Sequence, residues 1–137
     1  MYNGENTMNN GNKDLPERTY KYGRRVIALF DALPNTKVAN VLGMQLLRSG
    51  TSVGANYSEA DFGRTKPEFI AKMGDCLREL GESNFWLRNI QDSKFVEPSR
   101  IQPLRDETEE LIRIFITIIK RAKASKDTDT KNTADPE

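Results

Sequence analysis

The stretch from Gln45 to Arg64, QLLRSGTSVGANYSEADFGR, constrains the fold more than any other part of the chain. Gln45, Ser49, Ser52, Asn56 and Glu59 recur at spacings of four, three, four and three, the heptad rhythm of a helix seam, yet every one is polar. One step round the same helix lie Leu42, Leu46, Val53, Tyr57 and Ala60, with the apolar spacing of a core face. Gly50 and Gly54 stand one turn apart and strip side chains from a third line, so another backbone can approach closely there. Each glycine costs roughly 1 kcal/mol of helix propensity relative to alanine, which packing has to offset. A helix with three such faces reads as the central helix of a bundle.

The flanking segments supply the rest of that bundle. Tyr22, Val26, Leu29, Phe30 and Leu33 predict a first helix over about 16–33, broken by Pro34-Asn35-Thr36. The second helix is expected from near Lys37 to about Phe62, with Gly63 supplying the left-handed closing residue. Thr65-Lys66-Pro67-Glu68 is a capping-box pattern with proline in the first turn, and it opens a third helix that runs through Phe69, Met73, Leu77, Leu80, Asn84 and Leu87 to about Gln91. Pro103 belongs in the first turn of the fourth helix or in a short separate turn, so that helix is expected from Leu104 to about Lys123. Short connections favour an all-α, antiparallel, up-down-up-down four-helix bundle over 15–124. The polar segments 1–14 and 125–137 lack apolar anchors and are expected to be disordered.

Between Leu111 and Ile119 only Arg113 and Thr117 interrupt an apolar run. A helix packed solely within its own bundle needs one apolar stripe. The excess marks Leu111, Ile112, Ile114, Phe115, Ile116, Ile118 and Ile119 as a candidate subunit interface, against the alternative of a helix set deep in a monomeric core.

Residues 15–124 carry 18 Lys and Arg against 14 Asp and Glu, so the expected folded part is mildly basic. In an up-down-up-down bundle the start of helix one, the helix two–three loop and the end of helix four share one end. Arg18, Lys21, Arg24, Arg25, Arg64, Lys66, Lys120, Arg121 and Lys123 are therefore expected to converge there, without exposed aromatics among them. Such a basic end suits phosphate contacts. Basic residues at a helix C-terminus also simply complement its dipole.

The polar seam has two readings as well. Gln45, Arg48, Ser49, Ser52, Asn56 and Glu59, faced by Glu79 and Glu82, could line a site. The more ordinary role is a hydrogen-bond network that fixes helix register or a subunit contact, with Arg48 paired to Glu59 or Glu82. Enzymatic chemistry is poorly served, because the chain has no histidine. That excludes the Glu-x-x-His motifs of di-iron bundles, the usual zinc sets and histidine-based triads, and there is no P-loop. No metal, cofactor or catalytic residue is expected. The single cysteine, Cys76, reads as a small buried side chain. The first fourteen residues lack a signal-peptide core, and no apolar run is long enough to span a membrane, so a cytoplasmic location is expected.

The run Gln45, Arg48, Ser49, Ser52, Asn56, Glu59 and Arg64, followed by Lys66-Pro67-Glu68-Phe69, resembles the 23S rRNA-intervening sequence protein family, as does LRELGESNFWL over 77–87. The match departs at Ala60, where the family usually has glycine, and at the Asp61-Phe62 that follows. The resemblance covers about 18–124 and implies a four-helix bundle assembled as a homopentamer. Relatives include the accessory variability determinant of diversity-generating retroelements, a basic pentamer that associates with nucleic acid and a reverse transcriptase. The expected function is thus a non-enzymatic, homo-oligomeric accessory protein that binds RNA or DNA, with a reverse transcriptase or another protein as candidate partner. The rival is a protein-interaction scaffold that binds no nucleic acid.

Overall fold

In a computed structural model residues 14–60, 62 and 65–125 are described, and among them there are four helices. They are α1 (Leu15–Ala32), α2 (Lys37–Ala60), α3 (Lys66–Ser93) and α4 (Pro98–Ala124). The expected tails, apart from Asp14 and Ser125, lie outside the described residues, as do Asp61, Gly63 and Arg64.

Cross-helix contacts fix every neighbour as antiparallel. From α1 to α2, a Cβ on Gly43 would meet Phe30, one on Gly50 would meet Val26, and one on Gly54 would meet the Thr19 carbonyl. From α2 to α3, Arg48 reaches Glu82, Ser49 reaches Ser83, the Val53 carbonyl accepts from Cys76, and Asn56 meets Lys72. From α3 to α4, Gln91 donates to Gln102, Asn84 to Glu109, and Lys66 at the start of α3 to the carbonyl of Ser125. The chain therefore runs up, down, up and down, with α2 and α3 most closely packed and α1 against α4 the thinnest junction.

Local chemistry sets both ends of α3. Thr65 closes a full capping box with Glu68, its hydroxyl accepting from the Glu68 N–H at 3.3 Å while the Glu68 carboxylate accepts from the Thr65 N–H at 3.0 Å. At the other end of α3, Lys94 adopts the left-handed conformation, φ 58° and ψ 34°, a place usually held by glycine. Helix α4 departs from expectation. It starts at Pro98, more than one turn earlier than Leu104, and carries Pro103 in its interior. Pro98 suits the first helical position. Pro103 cannot donate to the Ser99 carbonyl, and Ser99 is exposed, so water can take that acceptor.

The core is built from Tyr22 and Val26 of α1, Leu46 and Val53 of α2, Met73, Cys76, Leu80, Leu87 and Ile90 of α3, and Ile101, Leu111, Phe115 and Ile118 of α4. Across its middle runs a buried polar layer with one residue from each helix. The Tyr22 hydroxyl lies 2.7 Å from that of Thr108, which donates to the Leu104 carbonyl, and Ser49 lies 2.8 Å from Ser83. All four are buried and paired, as interior polar groups must be. Among the described residues no helix is long and apolar enough to cross a membrane.

Candidate nucleic-acid interface and the polar face

The seam on α2 does not sink into the bundle as a unit. Ser49 alone among its α2 members is fully buried. Gln45, Arg48 and Glu59 are exposed, and Ser52 and Asn56 are half-buried. Their companions lie along the outer α2–α3 junction as a ladder of charges. Arg48 bonds Glu82 at 2.8 Å and Glu79 at 3.4 Å. Lys72 bridges Glu59, Asp75 and the Asn56 side chain, while Arg78 pairs with Asp75 at 2.9 Å. Glu79 is buried, and the contact from Arg48 compensates its charge. The hydrogen bond from Arg48 to Glu82 in turn holds the guanidinium charged. Arg48 thus takes Glu82 as its partner, and Glu59 goes to Lys72. Ser52 and Asn56 mainly bond back to the carbonyls of Arg48 and Ser52 on their own helix.

The expected basic end is distributed rather than gathered. Arg18 is committed to α4, with Nε 2.7 Å from Glu107 Oε2, a second nitrogen 2.9 Å from Glu107 Oε1, and Glu110 at 3.2 Å. Lys66 is committed to the Ser125 carbonyl, and Lys21 lies 4.0 Å from Glu17. Arg24, Arg25, Lys120, Arg121 and Lys123 are exposed and form no ion pair among the described residues. Arg64 lies outside those residues. The eight that are described do not gather at one tip because the helices differ in length: α1 has 18 residues and α4 has 27. Tyr22 sits level with Thr108, and twelve residues of α4 separate Thr108 from Lys120, about 18 Å at the helical rise. Arg24 lies on the other side of Tyr22. The free cations, from Arg25 on one side of that level to Lys123 on the other, are therefore spread over about 27 Å of the bundle, beyond the ~8 Å screening length at physiological salt.

The apolar residues of α4 divide in two. Leu111, Phe115 and Ile118 are fully buried in the chain's own core, so they are not free for a partner. Ile112, Ile114 and Ile119 are partly buried against that core, and Ile116 is exposed. On α3, Ile70, Gly74, Leu77 and Gly81 follow at four, three and four, and a Cβ added at either glycine would meet nothing within 4 Å. The bond from Asn84 to Glu109 places this line and the line Ile112, Ile116, Ile119 along the same α3–α4 seam.

One feature was not legible as a site. Between α1 and α2 lies an open groove of about 540 Å³, lined by residues including Tyr20, Gly23, Arg24, Ile27, Gly54 and Phe62. Tyr20 is 60% exposed and Phe62 75% exposed. Exposed aromatics thus stand beside Arg24 and Lys21, contrary to expectation. Tyr20 falls one position off the buried line Leu15, Thr19, Tyr22 and Val26, and Phe62 sits at the turn, so periodicity marks neither.

A family model described as 23S rRNA-intervening sequence protein matches residues 13–117. A crystal structure from Bacteroides thetaiotaomicron VPI-5482, described as a protein with unknown function from the S23 ribosomal protein family, superposes with a TM-score of 0.72 at 28% identity, over 77% of this chain and 97% of that one. No curated protein matches the chain.

Proposed function

The chain belongs to the 23S rRNA-intervening sequence protein family, and from that premise we propose that it is a non-enzymatic accessory protein that assembles into a homo-oligomer and associates with the phosphate backbone of nucleic acid. The observation that carries this reading is a set of exposed cations on α1 and at the end of α4 that have no carboxylate partner among the described residues. Cations along the α2–α3 face, Arg48, Lys72 and Arg78, are all neutralised by carboxylates. Arg24, Arg25, Lys120, Arg121 and Lys123 have no such partner among the described residues. Unpaired surface cations are what displaces counterions from a phosphate backbone. Their spread over about 27 Å favours contact along a strand over capture of a single anion.

Assembly rests on the α3–α4 seam. Gly74 and Gly81 lower the propensity of an exposed helix without relieving any contact inside the chain, and they alternate with Ile70 and Leu77. Such a line lets the backbone of a second copy approach, with Ile112, Ile116 and Ile119 beside it. Repeating the basic surface by symmetry would strengthen its field. A reverse transcriptase or other protein bound to the assembly belongs to the same reading. Losing Lys21, Arg24 and Lys120 together is expected to weaken RNA and DNA binding and flatten its salt dependence. Unchanged binding in that variant would count against the phosphate contacts proposed here.

A further inference from the structure

We propose that the groove between α1 and α2 takes an unpaired nucleotide of single-stranded nucleic acid, its base stacked against Tyr20 and Phe62 and its phosphate held by Arg24. This rests on the reading of the protein as nucleic-acid-associated and names which form of nucleic acid the groove selects.

The groove exists because of where the small residues fall. Gly54 packs on the Thr19 carbonyl, where an added Cβ would lie at 3.3 Å, and Gly23 packs on Thr51. Close approach of the two backbones leaves a shallow floor of Gly23, Gly54 and Ala55. Tyr20 and Phe62 line the groove and remain largely open to solvent, although neither is needed by the core. Its volume of about 540 Å³ falls in the range of ligand sites, which run to roughly 300–1,000 Å³.

The lining also has a sign. Among the described residues Arg24 is its one charged member, and no carboxylate lines it. It forms no ion pair among the described residues. Thr51 donates its hydroxyl to the Leu47 carbonyl, which orients its oxygen lone pairs as acceptors, and Ser58 adds a second hydroxyl to the wall. A flat base with an attached anion uses the aromatic rings, the hydroxyls and the guanidinium together. An aliphatic occupant would leave the cation idle. Within a duplex the faces of each base are covered by neighbouring pairs, so stacking on protein aromatics needs an unpaired strand.

The test uses the full chain, a fluorescent single strand of about a dozen nucleotides, and a duplex of the same sequence, with binding read by anisotropy at about 50 mM salt. Tyr20→Ala combined with Phe62→Ala should lower single-strand affinity by about tenfold or more and leave duplex affinity unchanged. Tyr20→Phe, which keeps the ring, should retain single-strand affinity. Both side chains are exposed, so the fold should persist, and circular dichroism checks that it does. Four results would overturn the inference. Unchanged single-strand affinity in the double variant removes the groove and leaves phosphate binding standing. Equal loss on both probes assigns the effect to something other than stacking. A fall in the protein's mass in solution makes the groove a contact between copies. Absence of binding to either probe by the unmodified protein removes both the groove and the broader reading.

Discussion

Tyr22 and Cys76 show what the interior does to a titratable side chain. Burial pushes the Tyr22 phenol up from 10.0 to about 12, and burial likewise pushes the Cys76 thiol up from 9.0 to about 12. Folding thus favours the neutral form of each. Their contribution to stability is complete below the unfolded values and disappears as pH rises through the folded ones, so stability should fall between about pH 9 and pH 12. Tyr22→Phe removes one titrating group and one hydrogen bond. The variant should lose about 1 kcal/mol at neutral pH, and its stability should decline less steeply above pH 10, as read by urea unfolding across that range. An identical alkaline slope would show that Tyr22 is not the group responsible. Cys76 was legible in sequence as a buried thiol. The pairing of Ser49 with Ser83, and of Tyr22 with Thr108, was not, because no periodicity reports which hydroxyls meet across a bundle.

At the scale of the element, helix identity followed from spacing, and the exceptions have local causes. The capping box at Thr65 was written in sequence and is present. Helix α4 begins before Pro103, whose missing N–H costs less where its would-be acceptor, Ser99, faces water. Lys94 ends α3 in a left-handed conformation with no glycine to announce it. Lys94→Gly should therefore stabilise the fold by about 1 kcal/mol, seen as a higher melting temperature. The glycines separate into two kinds. A Cβ on Gly50 would stand 2.7 Å from Val26 Cγ2 and 3.2 Å from Val26 Cβ, and the β-branched side chain has little room to turn. Gly50→Ala should destabilise by about 1–3 kcal/mol despite the gain in helix propensity. Gly81→Ala meets nothing and should stabilise the isolated subunit by about 1 kcal/mol. If the α3–α4 seam joins two copies, that same substitution will reduce the mass in solution. A more stable protein with an unaltered mass would remove Gly81 from the proposed contact.

For the whole molecule, the antiparallel order was readable from short connections, but the distribution of charge depended on something connections do not encode. Helices of 18 and 27 residues, held in register by Tyr22 and Thr108 and by Arg18 against Glu107, cannot bring all their basic residues to one tip. The long α4 carries Lys120, Arg121 and Lys123 past the start of α1, and Arg24 and Arg25 stay alongside its first half. The polar seam moved for a related reason: a heptad of small and charged residues can follow the outer junction of two helices as readily as their buried seam. Its rungs, Arg48 with Glu82 and Lys72 with Glu59, join α2 to α3 at the surface. The unpaired cations of α1 and of the end of α4 lie elsewhere, and the function proposed here depends on them.

The most direct test is a titration of nuclease-treated protein against labelled structured RNA and duplex DNA at about 50 and 200 mM salt, with the mass in solution recorded at both. Phosphate contacts made by an oligomer predict binding that falls steeply between the two salts, in a species heavier than one chain. No binding at the lower salt would contradict the nucleic-acid reading and leave a protein-interaction scaffold in its place.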